Sequence, residues 1–197
     1  MTAGRVISSR MKQLVRSFLL TLALCGWAGR LPAVTLCVEA ESALTNEAPM
    51  TLVRAAVPGA GIKPVAEASE AMYLEVPLGA GKPPKVKAGS AKIDLAIPVD
   101  GTYTFWLRTY WEGECSNTIQ VQIDAQPPFL VGGDATYHVW HWVRFPVSKL
   151  TPAPKLTKGA HTVTILHRED GVRIDQLLLT TSPRYVPAGV EKAGVSP

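Results

Sequence analysis

From Val34 onward, apolar residues recur at every second position or in short solid runs, and turn-forming residues interrupt them roughly every eight to fifteen positions. That punctuation predicts an all-β chain. The candidate strands are residues 35–41, 50–55, 72–77, 91–98, 102–111, 118–125, 138–145, 160–168 and 173–181. About nine strands in roughly 150 residues suit an antiparallel β-sandwich. Asp100-Gly101 is expected to join the fourth strand to the fifth. Glu169-Asp170-Gly171 is expected to close the last two strands as a tight hairpin, and in both turns the glycine, Gly101 or Gly171, is expected to supply the positive φ. Residues 79–89, rich in Gly, Pro and Lys, carry no apolar periodicity and read as an exposed loop. Their likeness to a phosphate loop fails, because Lys82 is followed by Pro83 instead of Ser or Thr and Val76 stands where the first glycine belongs.

The beginning of the chain reads differently. A basic stretch to Arg16, an apolar run over residues 17–25 and small residues at Gly26 and Ala28 make residues 1–33 a signal peptide, with cleavage expected near residues 28–33. The apolar run is too short to span a bilayer, so no membrane span is expected. The product is then secreted or periplasmic, with a sandwich domain over residues 34–182 and an extended or disordered tail over residues 183–197. A lipid anchor is not expected, since Leu24 precedes Cys25 and Leu36 precedes Cys37 where a small residue belongs.

Charge changes meaning once the leader is set apart. The 197 residues are 47% hydrophobic, 18% charged and formally +4, but five of the 20 basic residues and none of the 16 acidic ones fall in residues 1–33. The remainder holds 15 basic against 16 acidic residues, a net −1, which lacks the positive footprint of a nucleic-acid binder. Export leaves Cys37 and Cys115, which either form one disulfide or stay free.

Catalytic patterns are scarce. His138 and His141 are three apart on one candidate strand and point to opposite faces, and no serine sits in a Gly-x-Ser-x-Gly elbow. The chain therefore reads as a non-enzyme. Its aromatics say more: Trp111, Trp140 and Trp142 fall near strand ends beside the polar loops 112–117 and 132–137. Indoles in such places stack on the C–H face of a sugar, while carboxylates and amides bracket its hydroxyls, or else they fill the core. Trp106 is expected in the core, with Trp111 and Trp140 as the exposed candidates and Glu112, Asn117 and Asp170 as their hydrogen-bonding partners. Glu39 and Glu41, two apart on the first strand, are expected to face the same way, which is costly without a cation. Calcium with Asp175 as third ligand is one solution, and an arginine partner is the other.

The order of short motifs now acquires a family likeness. Val38-Glu39-Ala40-Glu41 is followed by Asp100-Gly101-Thr102-Tyr103 leading to Leu107-Arg108, and then by Val121-Gln122-Ile123-Asp124. Trp140-His141-Trp142-Val143, Gly159-Ala160-His161-Thr162 and Arg173-Ile174-Asp175 complete the series. Over residues 36–181 this resembles the galactose-binding-like β-sandwich, of jelly-roll type, found in carbohydrate-binding modules of families six and thirty-five. The resemblance implies a structural calcium on Glu39, Glu41 and Asp175, and sugar held by the loops at 111–117 and 169–170. It departs at Val172-Arg173, where the family often has an asparagine before the final Ile-Asp. The expectation is a secreted, non-catalytic module binding a polysaccharide or glycan. The alternatives are a cell-envelope sandwich that docks a protein partner and, further off, a small polysaccharide hydrolase or lyase.

Overall fold

Residues Ser90–Ile97 alternate without error: Ala91, Ile93, Leu95 and Ile97 are buried, while Lys92, Asp94 and Ala96 are exposed. One face of that strand lies on a core and the other meets solvent. The computed structural model describes residues 33–54, 67–146 and 151–197; residues 1–32 of the expected signal peptide lie outside them, as does the end of the second candidate strand at Ala55. In chain order the strands are β1 (Thr35–Glu39), β2 (Thr45–Glu47), β3 (Thr51–Arg54), β4 (Met72–Val76), β5 (Ser90–Ile97), β6 (Gly101–Thr102) and β7 (Thr104–Trp111). They continue with β8 (Thr118–Ile123), β9 (Phe129–Gly132), β10 (His141–Phe145), β11 (Lys155–Leu156), β12 (Gly159–Leu166), β13 (Val172–Thr180) and β14 (Gly194–Ser196).

Two antiparallel sheets face each other. One runs β10-β7-β13-β1-β14, with β4 also paired to β13 and β3 to β4; the other runs β2-β5-β12-β8-β9. Each of the nine expected strands is present. β2, β9, β11 and β14 were not legible, being too short to show a period. Between the sheets Phe105, Leu107, Trp111, Leu177, Leu179, Val143 and Phe145 meet Ile93, Leu95, Val121, Ile123, Val163 and Ile165. The chain is an all-β sandwich.

Both expected turns fall where the sequence puts them, but neither closes a hairpin. β12 pairs with β5 and β8, whereas β13 pairs with β7, β1 and β4, so Glu169-Asp170-Gly171 carries the chain from one sheet to the other. Asp100-Gly101 likewise separates β5 from β7. The reason lies in β13, which is buried at every position except Arg173 and therefore needs strands on both edges and cover on both faces. An edge hairpin could supply neither. Gly171 does take a positive φ, of 72°, and a Cβ there would lie 3.0–3.1 Å from Leu78, Ser116 and Glu112; Gly101 does not, because it is already a strand residue of β6.

The tryptophan expectations are corrected by strand parity. In β7 the odd positions Phe105, Leu107 and Trp111 face the core, so Trp111 is fully buried and Trp106 lies on the outer face, half-buried. Trp140, just ahead of β10, is also buried, at 8% exposure, edge-on to Tyr73 and Tyr110 with the Arg108 guanidinium 5.3 Å from its ring centroid. Neither expected platform is exposed. β1 ends at Glu39 and residues Ala40–Ser42 form a 3-10 turn, so Glu41 is not on the strand with Glu39. The cysteines are both free, with Cys37 buried and Cys115 exposed. Burial pushes the Cys37 thiol up to about 12, which keeps it protonated and unreactive. The tail is ordered: it lies across the outer face of the larger sheet and ends as β14 on the edge of β1.

Two outcomes test this packing. Trp111→Ala should cost about 3–5 kcal/mol and lower Tm by on the order of 10 °C in a calorimetric melt, as expected for a core side chain. The second concerns pH. His161 on β12 bonds through Nδ1 to Asp124 Oδ2 at 2.8 Å and through Nε2 to the Thr157 carbonyl at 2.8 Å. The hydrogen bond to Asp124 holds His161 above its ordinary 6.5. Burial alone would raise Asp124, but the Thr162 N–H and the His161 ring outweigh it and hold the carboxyl below 3.8. The histidine's contribution is therefore full below about pH 6.5 and fades as pH rises through its raised folded value, while the aspartate's is lost only in acid. His161→Ala should lower Tm by roughly 1–3 °C more at pH 5 than at pH 9.

Candidate functional site

The loops at the β7 C-terminal end are tied together by carboxylates. Asp170 Oδ2 accepts from the Gly79 and Gly81 N–H groups at 2.9 and 3.1 Å. Glu169 Oε2 accepts from the Asn117 and Thr118 N–H groups, both at 3.0 Å, and its Oε1 meets Lys82 Nζ at 3.3 Å. Burial would raise Glu169, but those donors and the lysine outweigh it and hold its carboxyl below the usual range. Asn117 Nδ2 donates to the Asp134 carbonyl at 2.9 Å, and Trp111 Nε1 donates to Asp134 Oδ2 at 3.2 Å. Three expected ligand contacts, Trp111, Asn117 and Asp170, are thus brought to one end of the sandwich but spend their polar groups holding it together. Asp134 is the residue that sequence reasoning missed there, and an isolated Asp in a loop carries no signal of it.

Glu112 fares otherwise. Its side chain keeps 31% of its surface exposed and pairs through Oε2 with Arg173 Nη1 at 2.7 Å. Arg173 also meets Glu75 Oε1 through Nε at 2.8 Å, and its Cζ lies 5.0 Å from the centroid of the Tyr110 ring. The three strands β4, β13 and β7 place Glu75, Arg173 and Tyr110 side by side in register on the outer face. Tyr110 is half-buried, with Trp140 edge-on at 5.6 Å on one side and the exposed His138 at 6.2 Å on another. The result is a corner where an aromatic ring stands beside two guanidinium–carboxylate pairs and a loop imidazole. Tyr110 and Arg173 share the outward parity of their strands, which the sequence pattern shows only once the inward set is known.

A second constellation lies further along the same outer face. Glu39 Oε1 accepts from Gln176 Nε2 at 2.8 Å and from Ser69 Oγ at 3.1 Å. Glu39 Oε2 and both oxygens of Glu41 are buried and have no partner of hydrogen-bonding geometry among the described residues. Burial raises both groups, Glu41 to about 7, with the neighbouring carboxylates adding to the effect. Buried oxygens of this kind fit a hard cation, which would supply the missing positive charge. Asp175 is close enough to add to the raising of both glutamates and shares the Ser69 turn with Glu39, but its own carboxylate has a cationic partner. It is the extra residue of a β-bulge in β13 between Ile174 and Gln176, and it pairs in the interior with Arg108 Nη1 while accepting from Ser69 N at 2.8 Å. Arg108 also donates to the Glu67 carbonyl at 3.1 Å. The cationic partner of Asp175 is therefore an arginine, and among the described residues no three His, Cys, Asp or Glu side chains converge as a closed metal cage.

No nucleophile is assembled at the acid–histidine pair Asp124–His161, which has a threonine beside it. Thr157 Oγ1 lies 3.5 Å from His161 Nε2, but that nitrogen donates to the Thr157 carbonyl at 2.8 Å and is not free to take a proton.

By sequence, no family model matches the chain and no curated protein matches it. Solved structures do. The GH26-CBM35 β-(1,4)-mannanase of Podospora anserina superposes with a TM-score of 0.51 at 16% identity, covering 78% of this chain and 29% of that one. The exo-β-1,3-galactanase of Phanerochaete chrysosporium superposes with a TM-score of 0.50 at 16% identity, covering 74% and 29%. A family 35 carbohydrate binding module from Clostridium thermocellum gives 0.48 at 13% identity, covering 74% of this chain and 96% of that module. The chain thus spans under a third of the two enzymes it resembles. What the two superpositions at 0.51 and 0.50 establish is the fold alone, an antiparallel β-sandwich that part of each enzyme shares.

Proposed function

We propose that the chain is an exported, non-catalytic carbohydrate-binding module whose sugar contacts lie at the Tyr110 corner, with a structural calcium held by Glu39 and Glu41. The observation that carries the sugar reading is the half-exposed Tyr110 ring beside Arg173, itself gripped by Glu75 and Glu112. A pyranose presents apolar C–H groups to such a ring, and its hydroxyls suit a fixed guanidinium and the remaining carboxylate lone pairs. Arg173 is already oriented by two ion pairs, so little side-chain entropy is lost on binding. Tyr110 takes the part expected of Trp111 or Trp140, and Glu112 keeps its own.

Calcium supplies charge neutralisation for the Glu39 and Glu41 oxygens, with Asp175 outside the ligand set. Ionising Glu41 in its buried setting is unfavourable to the fold above its unfolded value near 4.5, and a bound cation reverses that. The residues would hold the segment 39–42 against β13 and the Ser69 turn, which is a structural role.

Two measurements test the two parts. In a glycan and polysaccharide screen, the wild type should bind at least one glycan, and Tyr110→Ala should lower the affinity by roughly tenfold or more while melting normally. Absence of any glycan binding, or binding indifferent to Tyr110, overturns the sugar reading. In thermal melts at pH 8, calcium at about 100 times its Kd should raise Tm by roughly 5–10 °C over chelator. Glu41→Gln should abolish that rise and melt higher than wild type in chelator, because it removes a buried charge. Equal Tm with calcium and with chelator would sink the calcium assignment.

A further inference from the structure

Gln176 is fully buried on the outer face of β13, yet every polar atom of its amide is engaged. Nε2 donates to Glu39 Oε1 at 2.8 Å and to the Glu191 carbonyl at 2.7 Å, and Oε1 accepts from the Glu191 N–H at 3.0 Å. One side-chain amide therefore makes a two-point backbone clamp on residue 191 and, with the same nitrogen, fixes the Glu39 carboxylate. Residue 191 belongs to a strap, residues 182–197, that crosses the outer face of the larger sheet. Among the described residues the strap is also tied by Trp142 Nε1 donating to the Gly189 carbonyl at 2.9 Å, by the Ser182 N–H donating to Thr180 Oγ1 at 3.1 Å, and by Gly194–Ser196 pairing with Thr35–Cys37 as β14. Most strap residues are exposed, Lys192 among them, while Pro187 is buried. An exposed segment at the rim of a sandwich is expected to open locally before the packed strands do.

We infer that Gln176 is a positioning residue that couples the strap to the cation site: docking of residues 182–197 holds Glu39 with Oε2 directed to the cation, and cation binding in turn fastens the strap. The proposal rests on the calcium reading above and goes beyond it in assigning the strap a part in the site. The physical chain is short. With the strap in place, Glu191 holds the Gln176 amide in one orientation, Nε2 toward Glu39 Oε1, which leaves Glu39 Oε2, like both oxygens of Glu41, buried and without a partner among the described residues. With the strap released, the amide loses both backbone bonds, and Glu39 is free to turn to solvent with Gln176. Ordering Glu39 is then a cost that falls on cation binding. Because coupling between two binding events is reciprocal, whatever affinity the docked strap adds for the cation, the cation adds to strap docking. A buried amide with both ends satisfied by one backbone residue and a third bond to a carboxylate is also a poor choice for mere filling, since an apolar side chain would fill the space without needing three partners.

The test uses the whole protein and two readouts that do not depend on sugar. Trypsin cleavage after Lys192 reports strap opening, and calorimetric titration reports calcium affinity. For the wild type, calcium should slow cleavage after Lys192 by roughly three- to tenfold, in line with one or two hydrogen bonds of coupling. Glu191→Pro removes the backbone N–H donor without touching Glu39, Glu41 or Gln176, and should weaken calcium by a similar factor while the sandwich melts unchanged in chelator. Gln176→Met, near in volume, should weaken calcium and remove the protection of Lys192 together. Calcium binding with no change in Lys192 cleavage, or Glu191→Pro binding calcium as tightly as wild type, overturns the coupling and leaves the cation site standing. No calcium uptake by the wild type overturns both. Glu41→Gln, which should lose calcium while keeping the strap as protected as in the calcium-free wild type, separates loss of the cation from loss of the clamp.

Discussion

β13 is buried on both faces, and most of the structure follows from meeting that requirement. Its inward residues Leu177 and Leu179 are covered by the five-stranded sheet, while its outward residues Gln176, Leu178 and Thr180 need a second cover. That cover is assembled from pieces remote in sequence: the turn at Ser69 and the strap over Tyr185 and Glu191. Polar groups on a strand so enclosed must be satisfied locally, because water does not reach them. The bulge turns Asp175 toward Arg108, and the strap satisfies Gln176. Removing one partner of a buried pair such as Arg108–Asp175 typically costs about 3–5 kcal/mol, so these contacts constrain which residues can stand opposite β13.

The same constraint sorts the carboxylates into three kinds. Glu169 and Asp170 are turned inward on backbone N–H groups, where they bind loops to one another and have little left for a ligand. Glu75 and Glu112 orient an arginine beside an aromatic ring at the edge of the covered face. Glu39 and Glu41 keep oxygens that are buried without a partner among the described residues. Buried, unpartnered carboxylate is the costliest of these arrangements unless a proton or a cation neutralises it, while the first kind serves architecture. Proximity to a loop end does not distinguish them; the direction of each oxygen does.

The nine longer strands and the sandwich architecture were legible because the period-two pattern is written by the core itself: residues that face the opposite sheet are mostly apolar, while the short strands β2, β9, β11 and β14 show no period. The seven motifs of the resemblance lie mostly on those strands, which is why they led to the right fold. Parity in β7 was not legible, since Phe105, Trp106 and Leu107 are all apolar and the pattern permits either face. Trp106 was therefore assigned inward and Trp111 outward, and both were reversed by register with β10 and β13. Likewise Glu-Asp-Gly marks a turn whether the chain returns to its own sheet or passes to the other.

By itself, then, the sequence determined that this chain is an all-β sandwich, where its longer strands lie and that Gly171 turns with positive φ, because local sterics and alternation with a core are carried by neighbouring residues. Tertiary structure decided the rest. Which tryptophan is covered, which carboxylate meets an arginine, whether Asp175 faces a cation or Arg108, and how residue 191 comes to clamp Gln176 all depend on contacts between residues fifteen or more positions apart. Those contacts follow from which strand lies beside which, a choice made by the packing of two whole sheets and written in no single segment.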